Sequence, residues 1–176
     1  MNAITVPEAR FEPYWWAAAA PVRLAAAPPA SRYDVAVIGA GFTGMRAALE
    51  LARAGRSVVV LDPEPAGSGA ARRNAGYLGR VLKKSLPTLM AKLGEAQGIA
   101  IYRELGEAFT GTVDFITREG IDCKLTRHGR YIAATSTAHY DAMAVELESM
   151  RKHLGYPYEM VPASAQRGEF GGVGYV

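Results

Sequence analysis

Asp34 to Asp62 reads DVAVIGAGFTGMRAALELARAGRSVVVLD, and the order of its parts leaves few folds open. Val35 to Ile38 is a short run of β-branched residues and alanine, the pattern of a strand buried on both faces of a parallel sheet. The turn Gly39-Ala40-Gly41-Phe42-Thr43-Gly44 follows. Gly39 allows a sharp exit from the strand, Gly41 lets a pyrophosphate approach the backbone, and Gly44 lets a helix pack closely on the strand. That helix is expected to run to about Ala54, with Met45, Ala48, Leu49 and Ala52 against the sheet and Gly55 as its stop. Its unpaired N–H groups and its dipole favour a diphosphate. Ser57 to Leu61 reads as a second buried strand. Asp62 closes it, where a carboxylate can accept hydrogen bonds from both ribose hydroxyls and would repel a 2′-phosphate. The whole is a dinucleotide-binding βαβ unit suited to NAD or FAD. A plain crossover with packing glycines is the alternative.

Length and composition set the frame. The 176 residues suffice for one domain with a real core, and 49% hydrophobic with 21% charged residues is ordinary for a globular protein. No apolar run approaches the roughly 20 residues of a membrane span. The net charge of +3 is mild and comes without an aromatic-basic motif, so no nucleic-acid partner is expected. A single cysteine, Cys123, excludes an internal disulfide and suits a reducing, cytoplasmic compartment. Residues 1–32 are rich in alanine and proline and hold Tyr14-Trp15-Trp16. They read as an extended arm whose aromatics pack on the protein or a partner subunit, with Ala17 to Pro29 as linker; a disordered tail is the alternative.

Past Asp62 the pattern leaves the simple alternation of strands and helices. Asp62 to Arg80 carries Pro63, Pro65 and four glycines, so it reads as a loop, long enough to suggest function. Arg72, Arg73 and Arg80 make it cationic, either to clamp phosphate or simply as a solvated basic face. A helix is expected from Ser85 and Pro87 onward. Ile101, Leu105, Phe109, Thr112 and Ile116 mark another from about Glu95 to Arg118, stopped by Gly120. Cys123 to Arg127 and Arg130 to Ala134 flank His128-Gly129 as a β-hairpin. Tyr140, Met143, Ala144, Leu147, Met150 and Leu154 stripe a helix from about Thr137 to Leu154, and Tyr158 to Val161 is expected as a short strand. A long loop, helices and a hairpin after the second strand suit a flavoprotein whose nucleotide-binding domain is interrupted by a substrate-domain segment. The organisation expected is residues 1–32 as arm and linker, 33–82 as the βαβ unit with the loop, and 83–176 as a helical segment opening a substrate domain.

Other chemistry is sparse. His128, His139 and His153 lack metal-ligand spacing, so no metal site is expected. Cys123 reads as a small core residue, and Arg80 with Lys83 and Lys84 as a solvated cluster. Met90, Met143 and Met150 read as packing residues.

Four stretches carry a resemblance. They are the Tyr14-Trp15-Trp16 arm, the DVAVIGAGFTG fingerprint, GSGAARRNAG at Gly67 to Gly76, and REGIDCKLTRHGRYIAAT at Arg118 to Thr135. Together they resemble the N-terminal part of FAD-dependent oxidoreductases of the D-amino-acid oxidase superfamily, nearest the gamma-glutamylputrescine oxidase branch. The likeness covers about residues 12 to 170. It implies an α/β, Rossmann-like FAD-binding βαβ unit with a helical insertion and a hairpin from the substrate domain. By that likeness Gly39, Ala40, Gly41, Phe42, Thr43, Gly44 and Asp62 hold the ADP half of FAD. Arg73, Asn74 and Gly76 lie along the pyrophosphate and flavin side. Ala71 stands where a serine is usual, and Arg72 where a glycine is usual. The implied reaction is hydride transfer from the C–N bond of a small amine or amino acid to flavin. No catalytic residue is assigned, because the family's groups over the flavin lie mostly beyond Val176. The last residues look like a chain cut short, with open sheet edges, exposed apolar faces and marginal stability or aggregation expected. Two alternatives stay open, a catalytically inactive dinucleotide-binding fragment and an NAD-dependent dehydrogenase. Oligomeric state is unknown from sequence.

Overall fold

The computed structural model describes residues 12–20, 30–80 and 82–171. The arm before Glu12, most of the expected linker and the last five residues lie outside the described residues. Two compact units divide at Tyr77 and Leu78.

The first unit is built on the βαβ motif. Strand β1 (Val35–Ile38) and strand β2 (Val58–Leu61) pair in parallel, Val35 opposite Val58 through Ile38 opposite Leu61. Helix α2 (Phe42–Arg53) makes the crossover, as the glycine turn and Gly55 (φ +78) require. Ser57 and Asp34 fix the register at the base of the pair. The Asp34 carboxylate accepts from the Ser57 amide at 2.9 Å and from its hydroxyl at 2.8 Å. Both bonds hold the Asp34 carboxyl below its usual pKa, the backbone bond the more strongly. The expectation of strands covered on both faces is corrected. Burial alternates along β1, and Ile38 is 79% exposed while Ala48 of α2 covers the other side. One helix shields only one face of a pleated pair, because successive side chains point to opposite sides.

Tyr14–Ala18 forms a short helix, α1, rather than an extended arm. Pro13 precedes it in extended backbone (ψ 139), and proline's fixed φ suits a helix entrance. The loop after β2 contains one 3-10 turn, Ala70–Arg72.

The second unit is helical. Helix α3 (Leu86–Leu93) starts at Ser85, whose hydroxyl accepts from the Thr88 amide, with proline in its first turn. Helix α4 (Glu95–Arg118) and helix α5 (Thr137–Leu154) match the spans read from their apolar spacing. Ser136 caps α5 through the His139 amide, and Gly155 ends it in the left-handed region (φ +67). Leu86, Leu89, Tyr102 and Met150 form the core where α3, α4 and α5 meet. Gly98 permits the approach of α3 to α4, since a Cβ there would lie 2.8 Å from the Met90 amide nitrogen. Tyr102 is fully buried and donates to the Lys84 carbonyl at 2.9 Å. The apolar spacing named Ile101, Leu105 and Thr112 but missed Tyr102. Thr112 is exposed and spends its hydroxyl on the Ala108 carbonyl.

Four further expectations fail here. No hairpin forms across Cys123 to Ala134, and no strand at Tyr158 to Val161; β1 and β2 are the strands among the described residues. Lys124 adopts a left-handed φ of 54°, which breaks the first arm of the hairpin. An isolated two-stranded ribbon without a packed face is marginal in any case, and Ile121, Leu125, Tyr131 and Ile132 are exposed. Cys123 lies in this exposed stretch instead of a core. Arg80 is not a simply solvated cation. Its guanidinium lies 4.6 Å from the Tyr156 ring centroid and 5.2 Å from that of Phe109. A short helix, α6 (Gln166–Phe170), was not legible in the sequence.

Candidate functional site: the glycine turn and the loop behind it

The three glycines of the turn do three different things. Gly39 sits at φ +101, a conformation that L side chains rarely adopt. Its amide donates to the Leu61 carbonyl at 2.8 Å, so the ladder continues one residue past β1 before the chain turns. Gly44 is a packing glycine, because a Cβ there would fall 2.0 Å from the Gly39 carbonyl oxygen. Gly41 differs from both. Its backbone is ordinary (φ −81), and a Cβ would meet nothing within 4 Å. Neither strain nor packing explains a glycine there; open space above the backbone is what remains. No side chain caps α2 at Gly41, which leaves the first amides of a 12-residue helix facing that space. Phe42 is 74% exposed at the mouth of the turn, and Thr43 is exposed beside it.

Asp62 ties the turn to β2. One carboxylate oxygen accepts from the Ala40 amide at 2.7 Å and the other from the Glu64 amide at 2.9 Å. The Ala40 bond, then the Glu64 bond, lowers the pKa of Asp62 below that of an ordinary carboxylate. The group is therefore an anion at neutral pH, and each oxygen keeps a further lone pair for another donor. Ala40 is buried, and its carbonyl accepts from the Gly67 amide at 2.9 Å, which joins the second glycine-rich stretch to the first.

Arg73, Asn74 and Gly76 are placed differently from the turn residues. The Arg73 guanidinium turns back onto the Ser68 and Gly69 carbonyls. The Asn74 side chain donates to the Ala71 carbonyl at 2.7 Å and accepts from the Gly76 amide at 2.8 Å. Both residues shape the loop from within. Gly76, at φ +72, presents its bare face to Trp15. Arg72, at the position where the resembled family has glycine, lays its guanidinium 3.4 Å from the Trp16 ring centroid. Desolvation first, and then the Arg73 charge, lower its pKa. Its Nε is buried without a hydrogen-bond partner among the described residues. The aromatics do pack on the protein, as expected, but the residues they meet were not legible in the sequence, since 59 residues separate Trp15 from Asn74. Among the described residues, no group of three or more His, Cys, Asp or Glu is placed to hold a metal. No helix among them is long and apolar enough to cross a membrane.

The family described as FAD dependent oxidoreductase (DAO) matches residues 34–175. The chain belongs to that family. Its members are FAD-dependent, and the α/β fold with a parallel βαβ unit agrees with membership. Among similar proteins is a probable oxidoreductase OrdL of Haemophilus influenzae, 31% identical over 123 residues that cover 70% of this chain and 28% of the relative. Gamma-glutamylputrescine oxidoreductase of Escherichia coli is 29% identical, covering 77% of this chain and 32% of the relative. Glycine oxidase of Geobacillus kaustophilus is 32% identical, covering 62% and 27%. No solved structure matches the chain. The chain thus spans about a third of the length of the curated relatives it matches. The residues present fit the ADP end of the DAO family's cofactor: an open glycine backbone, an uncapped helix start and an exposed carboxylate at the end of β2.

Proposed function

We propose that this chain supplies the ADP-binding part of an FAD-dependent oxidoreductase acting on the C–N bond of a small amine or amino acid. The observation that carries the reading is the contrast between Gly44, closed against Gly39, and Gly41, open above an uncapped helix. Gly41 and the first amides of α2 would receive the diphosphate, and Asp62 would accept hydrogen bonds from the adenosine ribose. The Ala40 amide holds that carboxylate beside the turn and keeps it ionised. The loop from Gly67 to Gly76 would border the pyrophosphate and flavin side, with Arg73 and Asn74 fixing its backbone. Bound FAD would supply the hydride acceptor, and the protein's part is to hold and tune it. The amine or amino-acid substrate class rests on the similarity to gamma-glutamylputrescine oxidoreductase and glycine oxidase. The lone cysteine suits a cytoplasmic setting.

A second reading is a nucleotide-binding piece without turnover, favoured by the exposed outer face of β1 and β2 at Ile38 and Leu61. The visible absorption spectrum of the purified chain separates the two. Flavin bands that bleach on adding an amine support the oxidoreductase. A colourless protein that binds ADP supports the second reading, and a colourless protein that binds neither nucleotide sinks both.

A further inference from the structure

The aromatic helix α1 is far in sequence from the glycine-rich loop yet makes its tertiary contacts there. Three independent contacts converge. The Trp15 indole donates to the Asn74 carbonyl at 2.8 Å. Its ring lies where a Cβ on Gly76 would stand, 2.5 Å from Cζ2. The Trp16 ring carries the Arg72 guanidinium at 3.4 Å. Each contact touches a different residue of the stretch Arg72 to Gly76, and each uses a group chosen for the job. Only an indole among the aromatics combines a large flat face with an N–H donor. Only glycine accepts both the left-handed backbone and the ring at position 76. Arginine stacks on an aromatic face better than any other cation. The Nε of Arg72 is buried beside this contact without a hydrogen-bond partner among the described residues. Tyr14 braces Trp15 edge-on, with ring centroids 5.0 Å apart.

We infer that Trp15 and Trp16 are positioning residues, a clasp that holds the loop Arg72 to Gly76 in the conformation that receives the flavin half of the cofactor. The functional half of this inference rests on the proposed FAD reading; the mechanical half does not. Arg72 is the matching piece on the loop, so its departure from the glycine usual in the resembled family goes with a tryptophan placed to cover it. The contacts of the clasp fall on Arg72, Asn74 and Gly76, whereas Gly41 lies on the turn and Asp62 just past the end of β2.

The test uses the full chain, the conservative variant Trp15→Phe, the stronger Trp15→Ala, and Arg72→Met. Trypsin cleavage after Arg73 reads the loop, and cleavage after Arg53 in α2 reads loss of the whole βαβ unit. Trp15→Phe removes one hydrogen bond, so cleavage after Arg73 should speed up roughly two- to tenfold. Trp15→Ala should exceed that, and cleavage after Arg53 should not change. In parallel, the dissociation constants for ADP and FAD are measured. The clasp requires the FAD constant to rise in all three variants while the ADP constant stays within about twofold, because the ADP end is untouched. Unchanged cleavage after Arg73 in Trp15→Ala overturns the clasp. Faster cleavage with an unchanged FAD-to-ADP ratio overturns its cofactor role. If the unaltered chain binds neither nucleotide, the proposed function fails, and the cleavage rates still decide whether the clasp exists.

Discussion

At the scale of single residues the glycine turn makes a sharp statement about three residues of one type. Gly44→Ala drives a Cβ into the Gly39 carbonyl and should destabilise the first unit by about 1–3 kcal/mol, read as a lower midpoint in urea. Gly41→Ala meets no atom and no backbone strain, so it should leave that midpoint unchanged while weakening ADP binding at least about tenfold, on the order of 1.4 kcal/mol. A G41A chain that binds ADP normally would mean that the open space is not a phosphate site. Asp62 gives a prediction in pH. Its carboxyl has a lower pKa folded than unfolded because the Ala40 and Glu64 amides bind the anion. The folded state therefore holds the proton less tightly. The contribution is complete above the unfolded value of about 3.9 and is lost as pH falls through the lower folded value. Asp62→Asn should lower stability at pH 6, and the gap to the unaltered chain should narrow as pH falls below about 4; a gap that does not narrow on acidification contradicts this. The turn residues and Asp62 were legible from sequence because glycine spacing and a strand-ending acid follow from local backbone demands. The roles of Arg72, Asn74 and Gly76 inside the loop were not, because their partners lie on α1 or on carbonyls that no residue type announces.

At the scale of elements, helices fared better than extended segments. The spans of α4 and α5 were readable because stop glycines and three- and four-residue apolar spacing are signals carried by neighbours in the chain. The hairpin expected at Cys123 to Ala134 rested on two short segments and the His128-Gly129 turn between them. A ribbon needs a face to pack on, which no local pattern supplies. Tyr102 shows the same limit within a helix. Its place at the centre of the core depends on the Lys84 carbonyl and on the approach of α3 allowed by Gly98. Burial first, then the charge of Glu146, pushes the Tyr102 phenol up to about 12. A group whose folded pKa is raised keeps its full contribution below its unfolded pKa, about 10 for tyrosine, and loses it as pH rises through the folded value. The helical unit should thus lose stability between about pH 10 and 12. Tyr102→Phe should abolish that alkaline step, and at pH 7 it should cost about 0.5–1.5 kcal/mol for the lost hydrogen bond. Circular dichroism melts across pH 7 to 12 measure both, and an alkaline step unchanged in Y102F rules out the assignment.

At the scale of the whole molecule, the chain combines the proposed ADP-binding turn with a sheet bare on one face. Ile38 and Leu61 stand on β1 and β2 at 79% and 50% exposure, and exposed apolar strand faces invite association. Replacing Ile38 by lysine should change the melting midpoint little, as an exposed position allows, and should lower light scattering on concentration; a large drop in midpoint would mean that Ile38 is covered in solution. The α/β class and the DAO family were legible because the βαβ unit and the Gly67 to Gly76 stretch are local patterns. Exposed apolar sheet surface was expected as well, and Ile38 and Leu61 supply it; which residues would lie bare was not legible, since covering a strand is a property of neighbours in space. The central claim is that the turn, the start of α2 and Asp62 form the ADP-binding end of an FAD site. Calorimetric titration of the full chain with ADP tests it most directly. A saturable one-to-one isotherm, weakened at least about tenfold in Gly41→Ala, is the predicted result; an isotherm without saturable heat at millimolar ADP, from a chain shown to be folded, would contradict it.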